Sequence, residues 1–189
     1  MKYLKKIMSN TLVEKIIDLI EKNGDSEYGG EAVTQGEHAL QAAHLAMEEG
    51  CAANIVVASL LHDIGHMLHA LPDDAPEQGI DDLHEELAAM FLEKYFIKEV
   101  VEPAKLHVQA KRYLCFVDAG YYNTLSEPSR QSLALQGGIM NAEEAAEFEK
   151  YENYKEAVLL RTWDDLAKDP TMQTDPIEAF APYIANTLK

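Results

Sequence analysis

Six residues have side chains and contexts suited to holding metal: His38, the adjacent His62 and Asp63, His84, His107 and Asp164. A mixed imidazole and carboxylate set suits iron, manganese or zinc, and no thiolate enters it. Two ions cannot be held by six monodentate groups without vacancies, so a shared carboxylate and open positions for substrate are expected. Asp63 is the natural bridge, because neighbours on a helix diverge by about 100°, letting His62 face one ion while Asp63 reaches toward the second. Each residue alone also reads as a satisfied core histidine or a capping aspartate; together they read as a two-metal site. His44 and His69 lack such a context and read as surface or packing residues. His66 lies four residues after His62 and is expected just behind the ligands, unless Gly65 ends the helix first.

The elements that must deliver these groups are helical. Leu12, Val13, Ile16, Ile17, Leu19 and Ile20 follow helical spacing and Gly24 stops the run. Asp25 to Glu31 contains Gly29 and Gly30 and reads as a mobile loop. Thr34 and Glu37 match a capping box, which puts His38 in the first turn of the next helix, running to Gly50. Asn54 is expected to cap the apolar helix that carries His62 and Asp63. Pro72, Asp73, Asp74, Pro76 and Gly79 mark a long surface excursion of the kind that often serves as a lid, after which His84 opens a helix.

Pro103 predicts a kink or a start in the helix that holds His107 and Lys111, an i, i+4 pair on one face. Ser126 with Pro128 reads as a helix start, Gln136-Gly137-Gly138 as its end, and Asn141 as another cap. A helix around Tyr154 to Lys168 places Arg161 on the face of Asp164, and a short helix follows Pro176. Strand alternation, internal repeats and low-complexity tracts are absent, so the reading is all-α: a single-domain helical bundle over 1–189, its core spanning about 12–168.

Bulk properties narrow the function. The 189 residues include 16 basic and 33 acidic ones, a formal net charge of −17. Such a surface repels phosphate backbones and anionic headgroups, which argues against nucleic acid and membrane partners. Cys51 and Cys115 have no metal or redox spacing and read as reduced thiols, and neither a signal peptide nor a membrane span is recognisable. A soluble cytoplasmic protein is expected. Beside the metals, Lys111 and Arg161 could clamp an anion, with Ser129 and Gln136 as neutral donors. Tyr28 and Glu31 add a phenol and a carboxylate from the glycine-rich loop.

These segments carry a resemblance: Tyr28-Gly29-Gly30-Glu31, Gln35-Gly36-Glu37-His38, Leu61-His62-Asp63-Ile64-Gly65-His66, His107 with Lys111-Arg112-Tyr113-Leu114, Ser129-Arg130, Gln136-Gly137-Gly138 and Arg161-Thr162-Trp163-Asp164. Over almost the whole chain they resemble the histidine-aspartate (HD) domain superfamily. Within it, they resemble the small mixed-valence di-iron oxygenases that cleave the carbon–phosphorus bond of hydroxylated aminophosphonates. The resemblance implies an HD-domain bundle and an Fe(II)/Fe(III) pair, with O2 as co-substrate. His38, His62, Asp63 and Asp164 would hold one iron, and Asp63 would bridge to a second held by His84 and His107.

Tyr28 would occupy an open iron position at rest and yield it to substrate, after which Glu31 meets the substrate's amino or trimethylammonium group. Lys111, Ser129, Gln136, Arg161 and His66 would surround the phosphonate. The implied products are phosphate with glycine or glycine betaine, since a carboxylate can meet either cation. Two other readings remain open: a metal-dependent phosphohydrolase of the same superfamily acting on a small phosphoester or nucleotide, and a ligand-sensing module without turnover.

Overall fold

A computed structural model describes the backbone of residues 2–68 and 82–189, and the side chains of 10–68 and 82–189. His69 and the expected excursion from Pro72 to Gly79 lie outside the described residues. The fold is organised around α3 (Ala53–Leu61), which is buried at every position from Ile55 to Leu61. A helix that is apolar on all sides has no solvent face and must be central. Around it stand α2 (Gln35–Glu48), α5 (Lys98–Val117), α9 (Tyr154–Leu166) and α10 (Ala181–Asn186). Ile16 and Ile20 of α1 (Lys2–Asn23), Leu160 and Trp163 of α9, and Ile177, Phe180 and Ile184 near the C-terminus close the same core. The first helix thus begins well before Leu12, and the core extends past residue 168.

Among the described residues the structure is helical without strands, apart from isolated bridges between Glu27 and Thr34 and between Phe96 and Leu188. The first bridge closes the loop that carries Tyr28 and Glu31. Thr34 and Glu37 form the expected capping box on α2, Ser126 caps α7 (Glu127–Leu135), and Asn141 caps α8 (Ala142–Phe148) with a box of its own. Between α5 and α7 lies the short α6 (Tyr121–Thr124).

Three local expectations are corrected. The residue preceding α3 is Ala52 with no side-chain cap, so Asn54 sits inside the helix. Burial of the helix, not a cap, holds its start. Pro103 lies within α5 and does not begin it, because buried Val100, Val101 and Ala104 on either side of it keep the helix packed. Asp63 does not continue α3: His62 is the last residue with helical dihedrals, Asp63 turns away at φ −100° and ψ 12°, and a short 3-10 helix runs over Ile64–Met67.

That turn is pressed against the start of α4 (His84–Leu92). A Cβ on Gly65 would lie 2.0 Å from the carbonyl oxygen of His84, a backbone atom that cannot step aside cheaply. Glycine here lets the segments carrying Asp63 and His84 touch. Gly65→Ala is expected to push His84 away from Asp63 and to lower bound metal from two ions per chain toward one, read by elemental analysis. Overpacking of this kind costs about 1–3 kcal/mol; the melting temperature should fall by roughly 2–12 °C.

Candidate metal centre

Asp63 presents its two oxygens to two different pairs of histidines. Its Oδ2 lies 3.3 Å from His62 Nε2 and 3.5 Å from His38 Nε2. Its Oδ1 lies 3.2 Å from His107 Nε2 and 3.4 Å from His84 Nε2. Asp164 joins the first pair, with Oδ1 3.6 Å from His38 Nε2 and Oδ2 3.8 Å from His62 Nε2. All six side chains are buried.

The far side of each imidazole decides what the near side can do. His38 Nδ1 meets the Ala167 carbonyl at 2.8 Å, His62 Nδ1 the Ser59 carbonyl at 2.8 Å, and His107 Nδ1 the Ala104 carbonyl at 2.7 Å. His84 Nδ1 meets Asp82 Oδ1 at 2.8 Å. Carbonyls only accept, as does an ionised carboxylate, so each Nδ1 carries the hydrogen and each neutral ring turns a bare Nε2 lone pair inward.

In both pairs those Nε2 atoms stand 3.1 Å apart. Two lone pairs at that distance repel unless a cation lies between or beside them. Asp63 Oδ1, moreover, is buried with no hydrogen-bond donor among the described residues. Orphaned lone pairs of this kind, backed by ring N–H groups bonded outward, fit a pair of divalent or trivalent ions.

Electrostatics agree. Burial pushes the His62 imidazole down, but Asp63 and Asp164 outweigh it and raise the group to about 9. Burial lowers His38, so without metal one proton sits on His62 and is shared toward His38. Burial also opposes ionisation of both aspartates; the charge of His62, with the His107 and His38 rings close by, nonetheless holds Asp63 well below the carboxylate range, and Arg161 does the same for Asp164. Burial, with His66 beside it, takes His84 down to about 4.

Around this cluster stand the other side chains. Tyr28 stacks on His38 with ring centroids 3.7 Å apart and donates its hydroxyl to Asp63 Oδ2 at 2.8 Å. Burial and the two aspartates push its phenol well above 10.0. Arg161 donates to Asp164 at 2.6 Å through Nη1, to Asp165 through Nη2, and to the Tyr121 hydroxyl at 3.1 Å through Nε. Lys111, buried on α5, donates to Ser132 at 2.8 Å; burial, then the like charges of Arg161 and Lys168, bring it down to about 7. Lys168 donates to Ser129 at 2.8 Å and to Glu31 at 2.9 Å. Gln136, at the end of α7, keeps a buried side-chain oxygen without a partner among the described residues.

The HD domain family profile matches residues 36–169 of the sequence. The chain belongs to the HD-domain family. It is 42% identical over 179 residues, 95% of this chain and 91% of the relative, to a (1-hydroxy-2-(trimethylamino)ethyl)phosphonate dioxygenase (glycine-betaine-forming) of Leisingera caerulea. It is 43% identical over 178 residues, 94% of this chain and 88% of the relative, to a hydroxymethylphosphonate dioxygenase of Gimesia maris.

Within this HD domain the six residues singled out by spacing lie together. His66 comes nearer than expected: with Asp63 and His84 it makes a further group whose ligand atoms lie within 4.8 Å of one another. Its ring stacks on His84 at 4.1 Å and its Nδ1 meets Asp82 Oδ2 at 2.7 Å. His44 is half-buried on α2 and joins none of these groups.

Sequence reasoning missed Asp82, which ties His66 to His84, and Tyr121 and Asp165, which brace Arg161. It also missed Lys168 as a partner of Glu31 and Ser129. Only Asp82 and Asp165 carried a local signal, two residues before one ligand and one residue after another.

Metal must displace the proton that His62 holds below about pH 9. Loading the apoprotein with a divalent ion at pH 7.5 should therefore release about one proton per chain from this group, and apparent affinity should rise with pH until about 9, then level. An indicator-dye titration checks both. Asp63→Ala should lose both ions, not one, in the same measurement.

Proposed function

We propose that this HD-domain protein is a di-iron oxygenase that uses O2 to cleave the carbon–phosphorus bond of a 1-hydroxy-2-(amino or trimethylammonio)ethylphosphonate, giving phosphate with glycine or glycine betaine in organophosphonate catabolism. The observation that carries this reading is Asp63 facing two histidine pairs beside a buried cation, Lys111. Two relatives of near-equal length named as phosphonate dioxygenases support it. Imidazole-rich and thiolate-free donors suit iron, with His38, His62, Asp63 and Asp164 as ligands of one ion and His84, His107 and Asp63 of the other. When bound, an iron pair would supply the redox-active centre and the open positions that O2 chemistry needs, the electrons coming from the substrate. The balance is simple: one alkyl hydroxyphosphonate and one O2 become one carboxylate and one phosphate.

The chain's own residues bind and orient. Lys111, with Ser129, Gln136 and the N–H groups of Arg161 not already committed to Asp164, Asp165 and Tyr121, receives the phosphonate oxygens. Burial makes the Lys111 charge costly in the empty site, and an incoming dianion relieves that cost. Asp82 orients the His66 ring toward the hydroxylated end of the substrate. Glu31 meets the cationic end. Tyr28, hydrogen-bonded to the bridging carboxylate and stacked on His38, covers the centre and excludes water until substrate takes its place.

Among the described residues no helix is long and apolar enough to cross a membrane, and both cysteines are free. We read the chain as one cytoplasmic domain working on a small molecule.

Phosphorus NMR of products tests the proposal directly. Anaerobically reduced, iron-loaded protein mixed with the amino or the trimethylammonio substrate and then exposed to O2 should yield inorganic phosphate; phosphoester hydrolysis with no product from either would instead make it a phosphohydrolase. Lys111→Ala should keep both metal ions. Losing a charged hydrogen bond of about 1.5–3 kcal/mol should raise KM by roughly 10- to 100-fold.

A further inference from the structure

Among the cations beside the centre, Lys168 alone has no role so far. Glu31, on the loop that also carries Tyr28, accepts from the Lys168 ammonium at 2.9 Å and from the Ser126 hydroxyl. The two charged side chains are only 13% and 14% exposed, so solvent screens them poorly and each depends on the other. The same ammonium donates to Ser129 at 2.8 Å and lies 5.8 Å from the centre of the Tyr28 ring. Lys168 is therefore a cation already seated on the carboxylate meant for the substrate's cationic end, with its other hand on a residue meant for the phosphonate.

We propose that the Glu31–Lys168 ion pair is the resting complement of a zwitterionic substrate and sets the specificity of the site. The substrate's ammonium takes Glu31 from Lys168, and the released Lys168 turns its charge to the phosphonate beside Ser129. No charge is left buried and unpaired at either stage. A phosphonate without a cationic end cannot make this exchange: it must either leave Lys168 on Glu31 or strand the carboxylate. Lys168 thus competes with the substrate's cationic end for Glu31 and tempers the preference that this carboxylate gives the site. The inference rests on the proposed phosphonate reading for its choice of probes, but binding alone decides it.

Affinities are measured anaerobically by calorimetry on iron-loaded protein for (1-hydroxy-2-(trimethylamino)ethyl)phosphonate, 1-hydroxy-2-aminoethylphosphonate and hydroxymethylphosphonate. The readout is the preference for each cationic compound over hydroxymethylphosphonate. Lys168→Gln should raise that preference about tenfold, because Glu31 loses its resident competitor and repels a purely anionic ligand. Lys168→Arg should keep it near wild type.

Glu31→Gln should lower the preference and, by freeing Lys168 for the phosphonate, should tighten hydroxymethylphosphonate about tenfold. In the double variant the effect of Lys168→Gln on the preference should vanish. An unchanged or lowered preference in Lys168→Gln overturns the proposal, since Lys168 would then be a structural tie or an ordinary phosphonate donor. Should that variant not fold, unchanged hydroxymethylphosphonate affinity in Glu31→Gln overturns it equally. Admitting O2 afterwards separates the two ideas: absent phosphate release defeats the proposed reaction, whereas the preferences stand or fall without turnover.

Discussion

Four imidazole rings tied by their Nδ1 atoms to three backbone carbonyls and one carboxylate are the constraint on which the remaining structure depends. With those hydrogens directed outward, the inward Nε2 atoms can only accept, and they converge on a carboxylate that can also only accept. Burying such a set without a cation is unfavourable by several kcal/mol per unpaired charge. The metal-free protein offsets part of that cost with a proton on His62 and the guanidinium on Asp164. Apolar α3 ends at the cluster, and the burial of all six side chains keeps every charge among them strongly felt.

The distribution of charge has a second consequence. A chain of net charge −17 repels a phosphonate dianion over most of its surface, yet Lys111, Arg161 and Lys168 gather beside the centre. Screening confines the outer repulsion to about 8 Å at physiological salt, so the inner cations govern a ligand once it has entered. They are not equivalent. Arg161 spends donors on Asp164, Asp165 and Tyr121 and so positions a metal ligand before it can touch any anion. Among the described residues Lys111 has a single hydroxyl partner, Ser132, and it is the cation whose burial an anion relieves most.

What the sequence made legible follows from how local each signal is. The capping boxes at Thr34 and Asn141 and the Ser126 cap act within three residues, and they appear where spacing puts them. The cluster of candidate ligands was legible because chemistry restricts metal sites to a few side chains. Lys168 was not legible: it reaches Glu31 across 137 residues of sequence, and a lysine at a helix end ordinarily reads as a solvated charge. Asp82 failed for another reason. Its value lies in spanning His66 and His84 at once, and the contact between those segments exists only because Gly65 permits it. Gly65 signals a helix end nearby, but the apolar run does not announce that the chain already turns at Asp63, two residues earlier.

That turn also explains an otherwise unfavourable backbone. Leu83 adopts φ 50°, the only non-glycine residue in the left-handed region among those described, and its side chain is 51% exposed. A left-handed leucine costs about 1–2 kcal/mol, and a side chain so exposed regains little of it by burial. The compensation lies on both sides of it. Asp82 before it grips two imidazoles, and His84 after it sets its carbonyl on Gly65 while its ring faces Asp63. Relaxing Leu83 to an ordinary dihedral would redirect the chain between those two anchors and withdraw His84 from the centre. Strain at one residue is thus tolerated because it sets the His84 ring against Asp63.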